Sequence, residues 1–155
     1  MRSVIVLLAA CLAVSACGPR PPRNCPPVRA KAILTETEEL RQYLQTAGIQ
    51  AQEDSMGYFY SIKNAGSGKQ PSSCSDVTVN YTGTFTSGEV FDQGSDVSFN
   101  LSQLILGWQM GIPKLREGGQ ILLYVPPSIA YGDETSGKIP GHSMLVFKID
   151  LKTVE

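Results

Sequence analysis

The chain has 155 residues, 42% of them hydrophobic and 17% charged, with a net charge of −1. This is the length of one compact domain plus extensions, and the composition of a globular rather than a disordered protein. The near-neutral balance, with no basic block, argues against a nucleic-acid partner. A single histidine, His142, leaves little from which to build a Ser-His-Asp or Cys-His enzyme or a His-containing metal site.

Residues 1–16 read as an export signal. Met1-Arg2 supplies a positive start, and residues 4–16 are apolar but too short to span a bilayer comfortably as a helix. The run ends in Val14-Ser15-Ala16-Cys17, which resembles a bacterial lipobox in which Cys17 is lipidated and becomes the first mature residue. An ordinary signal peptide, or cleavage elsewhere with a free Cys17, is the alternative. Residues 17–30 form a Pro-rich tether; within it GPRPPRNCPPV is a stiff, extended spacer with no core. Cys11 leaves with the signal and Cys17 carries lipid, so Cys25 and Cys74 remain. In an oxidising exported compartment these two are expected to pair, tying the tether to the domain. Two buried free thiols or an intermolecular bridge are the alternatives. Two cysteines and one distant histidine make no convincing zinc site.

Residues 31–54 hold a short amphipathic helix and a linker. Thr35-Glu36-Thr37-Glu38 reads as a capping box, a hydroxyl N-cap with Glu three residues on. Leu40, Tyr43, Leu44 and Ala47 follow at i, i+3, i+4 and i+7, and Gly48 suits the C′ position, which predicts a helix over 36–47. About three turns is short for a dimer contact, so the apolar stripe is expected to pack on the domain.

The domain proper covers 55–155. Strands are expected at 58–62, at 77–82 and at 97–101, with a hairpin turn at 86–89. Leu101, Ile105, Trp108, Ile112 and Leu115, spaced 4, 3, 4, 3, predict one helical face ending near Pro113 and Gly118-Gly119. A strand over 120–125 stops at Pro126-Pro127. A Gly-rich loop runs from 129 to 143, and the last strand runs from 144 to 154. Many short strands and one central helix indicate an α+β fold, a curved antiparallel sheet wrapped around that helix.

The ordered pieces VNYTGTF, GEVFD, FNL, LILGWQMGI, GGQILLYVPPSIAYG and IPGHSMLVFKIDL place aromatic rings, one carboxylate and two phenols together. From about residue 57 to the end they resemble the FKBP-type peptidyl-prolyl cis-trans isomerases. The export signal and preceding helix are more narrowly similar to the bacterial lipoprotein and macrophage-infectivity-potentiator-like members. The resemblance implies the same helix-wrapping sheet, and an enzyme that rotates X-Pro amides without a cofactor. Proline-containing polypeptides are its implied substrates, and macrolides its implied inhibitors. It implies that Tyr81, Asp92 and Tyr131 carry catalysis. Trp108 would be the pocket floor, with Phe91, Phe99 and Phe147 beside Tyr81 as walls. Leu104 and Ile105 would form the rim, the Ile105 N–H binding a substrate carbonyl, and Ile139 would close the lip. Each of these has a plainer reading as core, turn cap or exposed loop residue.

Two departures stand out. Val97 replaces an aromatic wall residue common in the family, which makes a shallower wall and leaves a non-catalytic peptide-binding or holdase module as the rival reading. Gly141 replaces a proline and is expected to loosen the loop. Gly18 after Cys17 is not the aspartate that retains many lipoproteins at the inner membrane. The expected location is therefore the bacterial envelope, lipid-anchored at the outer membrane and facing the periplasm.

Overall fold

The computed structural model describes residues 25–155. The expected signal peptide, Cys17 and the tether up to residue 24 lie outside the described residues. The chain runs through helix α1 (Leu34–Thr46), strands β1 (Gln52–Glu53), β2 (Phe59–Asn64), β3 (Asp76–Phe85) and β4 (Val90–Asn100), helix α2 (Leu106–Gly111), and strands β5 (Gln120–Val125) and β6 (Leu145–Val154). Together the strands make one antiparallel sheet in the order β1-β2-β5-β6-β3-β4. The α+β architecture expected from the sequence is the one observed.

Alternation sorts the side chains to the two faces of this sheet. Val77, Val79, Ile121, Leu123, Leu145, Ile149 and Leu151 are buried on the inner face, where they meet Trp108 and Ile112. The fit of α2 on β5 depends on two glycines one turn apart. A Cβ at Gly107 would lie 2.5 Å from Val125 Cγ1, and one at Gly111 would lie 2.6 Å from both Leu123 methyl carbons. Their missing side chains let the helix backbone sit directly on the strand.

The outer face is covered by α1. Leu40 and Leu44 are buried against Phe59 and Tyr124, so the helix stripe packs on the domain. The capping box does not form. The helix begins at Leu34 with Ile33 in the N-cap position and no side-chain cap, which puts Thr35 inside the first turn. Glu38 pairs with Arg41 instead. Tertiary contacts override the local signal here: Ile33 N–H donates to Ser128 Oγ at 3.0 Å, and Thr37 Oγ1 donates to the carbonyls of Ile33 and Gly57 at 3.2 and 3.1 Å. Gly48 ends the helix at φ +66°.

The helix expected over 101–115 is three pieces. A 3-10 turn (Leu101–Gln103) is capped by Asn100, whose side chain accepts from Ser102 N–H; Leu104 and Ile105 are extended; α2 follows; and a second 3-10 turn (Ile112–Lys114) holds Pro113. The apolar spacing is real, because four of the five residues are buried and Ile105 is partly buried against the same core, but the backbone supporting it is discontinuous. Near β4, Asn80 Oδ1 accepts from Asp96 N–H at 2.7 Å and supports Asp96 at φ +53°. That holds a register shift opposite Val79–Tyr81 and turns the following strand residues. Cys25 and Cys74 are joined as a disulfide with Cα atoms 6.0 Å apart, linking the chain before α1 to the segment before β3.

Candidate active site

The long strands β3, β4 and β6 and the N-terminal end of α2 converge on one cavity of ≈ 140 Å³. It is lined by Tyr81 from β3, Phe91, Asp92 and Phe99 from β4, Leu104 and Ile105 before α2, Trp108 in α2, Tyr131 after β5, and Phe147 from β6. Larger crevices exist, such as one of ≈ 410 Å³ beside Lys148 and Asp150, but that one is walled mainly by polar side chains. A further crevice of ≈ 260 Å³ lies between the Cys25 segment and Met56, Tyr58, Met110 and Lys114. The aromatic cup is set apart by its walls, which are mostly aromatic rings, with a few polar groups converging at its mouth, a composition that suits a small-ligand site.

Trp108 forms the floor and is only 4% exposed. Tyr81, Phe99 and Phe147 all meet its ring edge-to-face, with centroids 5.4, 6.1 and 5.4 Å away. This geometry fixes the ring from three sides. The indole N–H has no oxygen or nitrogen partner among the described residues. Phe91 stands perpendicular to Phe147 at 5.7 Å. Gly83 makes room for this pair: a Cβ there would lie 2.6 Å from Phe91 Cζ and 3.1 Å from Phe147 Cε1.

Polar groups sit at the mouth. Tyr81 Oη donates to Asp92 Oδ2 at 2.8 Å, and Gln93 N–H donates to Asp92 Oδ1 at 2.9 Å. Burial first, then the hydrogen bond to the Asp92 carboxylate and its charge, push the Tyr81 phenol up to about 12. Tyr131 is 42% exposed and its phenol makes no hydrogen bond among the described residues. Its pKa is also raised, by burial and then by the Asp92 charge. Both phenols therefore stay protonated at neutral pH, and the Tyr131 O–H is free to donate outward. The Ile105 N–H, at the start of α2, has no backbone acceptor among the described residues. The rim of the cup thus offers two unpaired donors, above an apolar floor and beside a hydrogen-bonded phenol–carboxylate pair. It contains no serine, cysteine or histidine nucleophile.

Two other expected site residues, Val97 for the wall and Ile139 for the lip, do not line the cup itself. Val97 is not part of the cup; it pairs with Val79 across β3–β4, and its Cγ2 crowds the space beside Gly94. Ile139 is buried in an adjoining cleft of ≈ 220 Å³ that shares Phe91, Asp92 and Tyr131. His142 lies on the outside of the loop, with Nδ1 3.2 Å from Asp133 Oδ1. Gly141 reverses its expectation. A Cβ there would meet Asp133 O at 1.9 Å and Asp133 C at 2.6 Å, so the glycine permits close packing of loop backbone rather than looseness. Gln109 had no expected role. Its Nε2 donates to the carbonyls of Leu104 at 2.7 Å and Ser102 at 3.3 Å, bracing the rim segment that carries the Ile105 N–H. Its place next to Trp108 was the only signal in the sequence.

Fold and cup together define an α+β domain with an aromatic cup suited to a small, largely apolar group. Residues 67–152 match the family model of the FKBP-type peptidyl-prolyl cis-trans isomerases, and the chain belongs to that family. It is 39% identical over 105 residues to the FKBP-type peptidyl-prolyl cis-trans isomerase FkpA of Escherichia coli K12, covering 65% of this chain and 39% of that protein. With the FkpA of Buchnera aphidicola from Acyrthosiphon pisum it shares 35% identity over 119 residues, covering 74% of this chain and 48% of that one. The chain thus spans less than half the length of these curated relatives. Among solved structures, the crystal structure of Escherichia coli FkpA superposes with a TM-score of 0.71 at 33% identity, covering 78% of this chain and 60% of that one. A peptidyl-prolyl cis-trans isomerase from Pseudomonas syringae pv. tomato gives 0.69 at 27% identity, covering 78% and 94%. Among the described residues, no helix is long and apolar enough to cross a membrane, and no group of three His, Cys, Asp or Glu side chains could hold a metal ion.

Proposed function

We propose that the chain is a peptidyl-prolyl cis-trans isomerase acting on proline-containing segments of exported proteins. The observation that carries this reading is the aromatic cup over Trp108, with the Ile105 N–H and the Tyr131 O–H free at its rim. Rotation about an X-Pro amide faces a barrier of about 18–20 kcal/mol and takes tens to hundreds of seconds unaided. A million-fold acceleration needs about 8 kcal/mol. The twisted amide has lost resonance and is less polar than the planar one, so a dry aromatic pocket disfavours the planar ground state relative to it. The proline ring sits on Trp108 between Phe91, Phe99 and Phe147. Ile105 N–H and Tyr131 O–H hold the flanking carbonyls, while the Tyr81–Asp92 pair supplies fixed polarity at the mouth. No step forms or breaks a covalent bond.

The organisation around this domain belongs to the same proposal: a signal over 1–16, lipid on Cys17, a tether over 17–30 and a helix-bearing linker over 31–54. This places the enzyme on a bacterial envelope membrane, at the outer membrane facing the periplasm. Its partners are folding polypeptides, and macrolides are expected inhibitors. The deciding experiment is a protease-free proline-peptide assay on the full chain. A rate above the uncatalysed one, lowered by Asp92→Ala and by Tyr131→Phe with folding unchanged, is expected. Activity equal to the uncatalysed rate would overturn the isomerase reading.

A further inference from the structure

Tyr131 is held by little of its own. Its ring is partly exposed and its phenol has no hydrogen bond among the described residues, so its position depends on the turn that carries it. That turn (Pro127–Ile129) opens on Pro127 with Pro126 as its cap, and neither proline has an N–H to give. The carbonyl of Pro127 accepts from both Ala130 N–H and Gly132 N–H at 2.9 Å, gripping the backbone on either side of Tyr131. Ile129 anchors the turn on the core side. The opposite side is anchored from α1, some ninety residues earlier. Glu36 is nearly buried, and its Oε2 accepts from Ser128 N–H at 2.9 Å and from Ser128 Oγ at 2.5 Å. Ser128 Oγ in turn accepts from Ile33 N–H at 3.0 Å. The hydroxyl's one proton is thus committed to Glu36, and the Ile33 N–H fixes the oxygen from the other side.

We propose that Glu36 is a positioning residue: through Ser128, helix α1 sets the place of Tyr131 in the cup. This contact explains why α1 starts at Leu34 without a local cap. The first turn of the helix is spent on the catalytic loop. A carboxylate suits the task because it accepts two hydrogen bonds on one oxygen and holds them more strongly than a neutral group. The kinetic consequence rests on the isomerase reading above; the geometric one does not.

Two measurements on the full chain test it. In the first, nuclear Overhauser contacts from the Tyr131 ring into the cup are compared between parent, Ser128→Ala and Glu36→Gln, with the Trp108 indole N–H signal as the reference for intact packing. Contacts weakened by half or more, with the indole signal unmoved, are expected; unchanged contacts in both variants would overturn the proposal. The second places Ser128→Ala in the parent and in a Tyr131→Phe background. If Ser128 acts through the phenol, kcat/KM falls about 3- to 10-fold in the parent and less than about 2-fold in the variant background, because residues sharing one function do not add. Equal losses in both would mean a general structural role and would also overturn it. An inactive parent would refute the proposed function, and the ring contacts alone would then decide the positioning.

Discussion

Gly141→Ala separates two accounts of the loop by sign. If Gly141 were only a flexible joint, adding a methyl would restrict the unfolded chain and stabilise the protein by about 0.4–1 kcal/mol. Its φ is not in the left-handed region, so no backbone penalty would oppose that gain. The structure predicts the reverse. The new Cβ would lie 1.9 Å from Asp133 O and 3.2 Å from Glu134 N, both backbone atoms that cannot rotate away. Forced overpacking costs about 1–3 kcal/mol. The loop residues opposite are largely exposed and can give, which puts the cost in the lower half of that range. Less the entropic gain, the net loss is about 1 kcal/mol, or about 2–4 °C in Tm for a chain of this size. Shifting this segment also moves Ile139, which is paired with Ser136 by two backbone hydrogen bonds and lines the cleft shared with Tyr131 and Asp92. Thermal melts and kcat/KM should therefore fall together. A Tm at or above that of the parent would refute the close-packing account.

Three other outcomes follow from the electrostatics and the crosslink. Spectroscopic titration of the tyrosines should find one phenol ionising near pH 12 that shifts down in Asp92→Asn. Because this pKa is raised on folding, its contribution to stability is intact below the ordinary phenol value near 10 and is lost as pH rises towards 12. Burial pushes the Asp54 carboxyl up, but its hydrogen bond to Lys114 Nζ at 2.8 Å and the Met56 N–H outweigh this and hold it below the ordinary value. Stability present above the unfolded-state pKa should therefore fall as acid protonates Asp54, and Lys114→Met should flatten that part of a urea-denaturation pH series. Cys74→Ser opens a bridge spanning 49 residues of sequence and should cost about 2–4 kcal/mol in denaturant unfolding.

The sequence signals were strongest where one residue's neighbours decide its state. The strand over 120–125 and the final strand were plain because alternation and flanking prolines or glycines bound them closely. Strand β4 was half-seen: its first residues, Val90 to Asp96, lie at a sheet edge with mixed polarity and a bulge, so they lack the alternation of a covered strand. The capping box misled because the true partner of the helix start is Ser128, far along the chain. For the site, the nine residues lining the cup are among those the family resemblance implies, yet the resemblance also puts Val97 in the wall, where a register shift in β4 decides where it points. Gly141 was misjudged for a related reason. Glycine means freedom or close approach, and only the position of Asp133 distinguishes the two.

Trp108 is the chain's single tryptophan and forms the floor of the cup, ringed by three aromatic side chains. Its emission is therefore an intrinsic gauge of occupancy. Whatever settles in the cup changes the surroundings of the one indole in the protein, with no second indole to dilute the signal. A fluorescence titration of the unlabelled chain can therefore compare candidate ligands of the cup, the proposed proline peptides and macrolides among them, without any turnover assay.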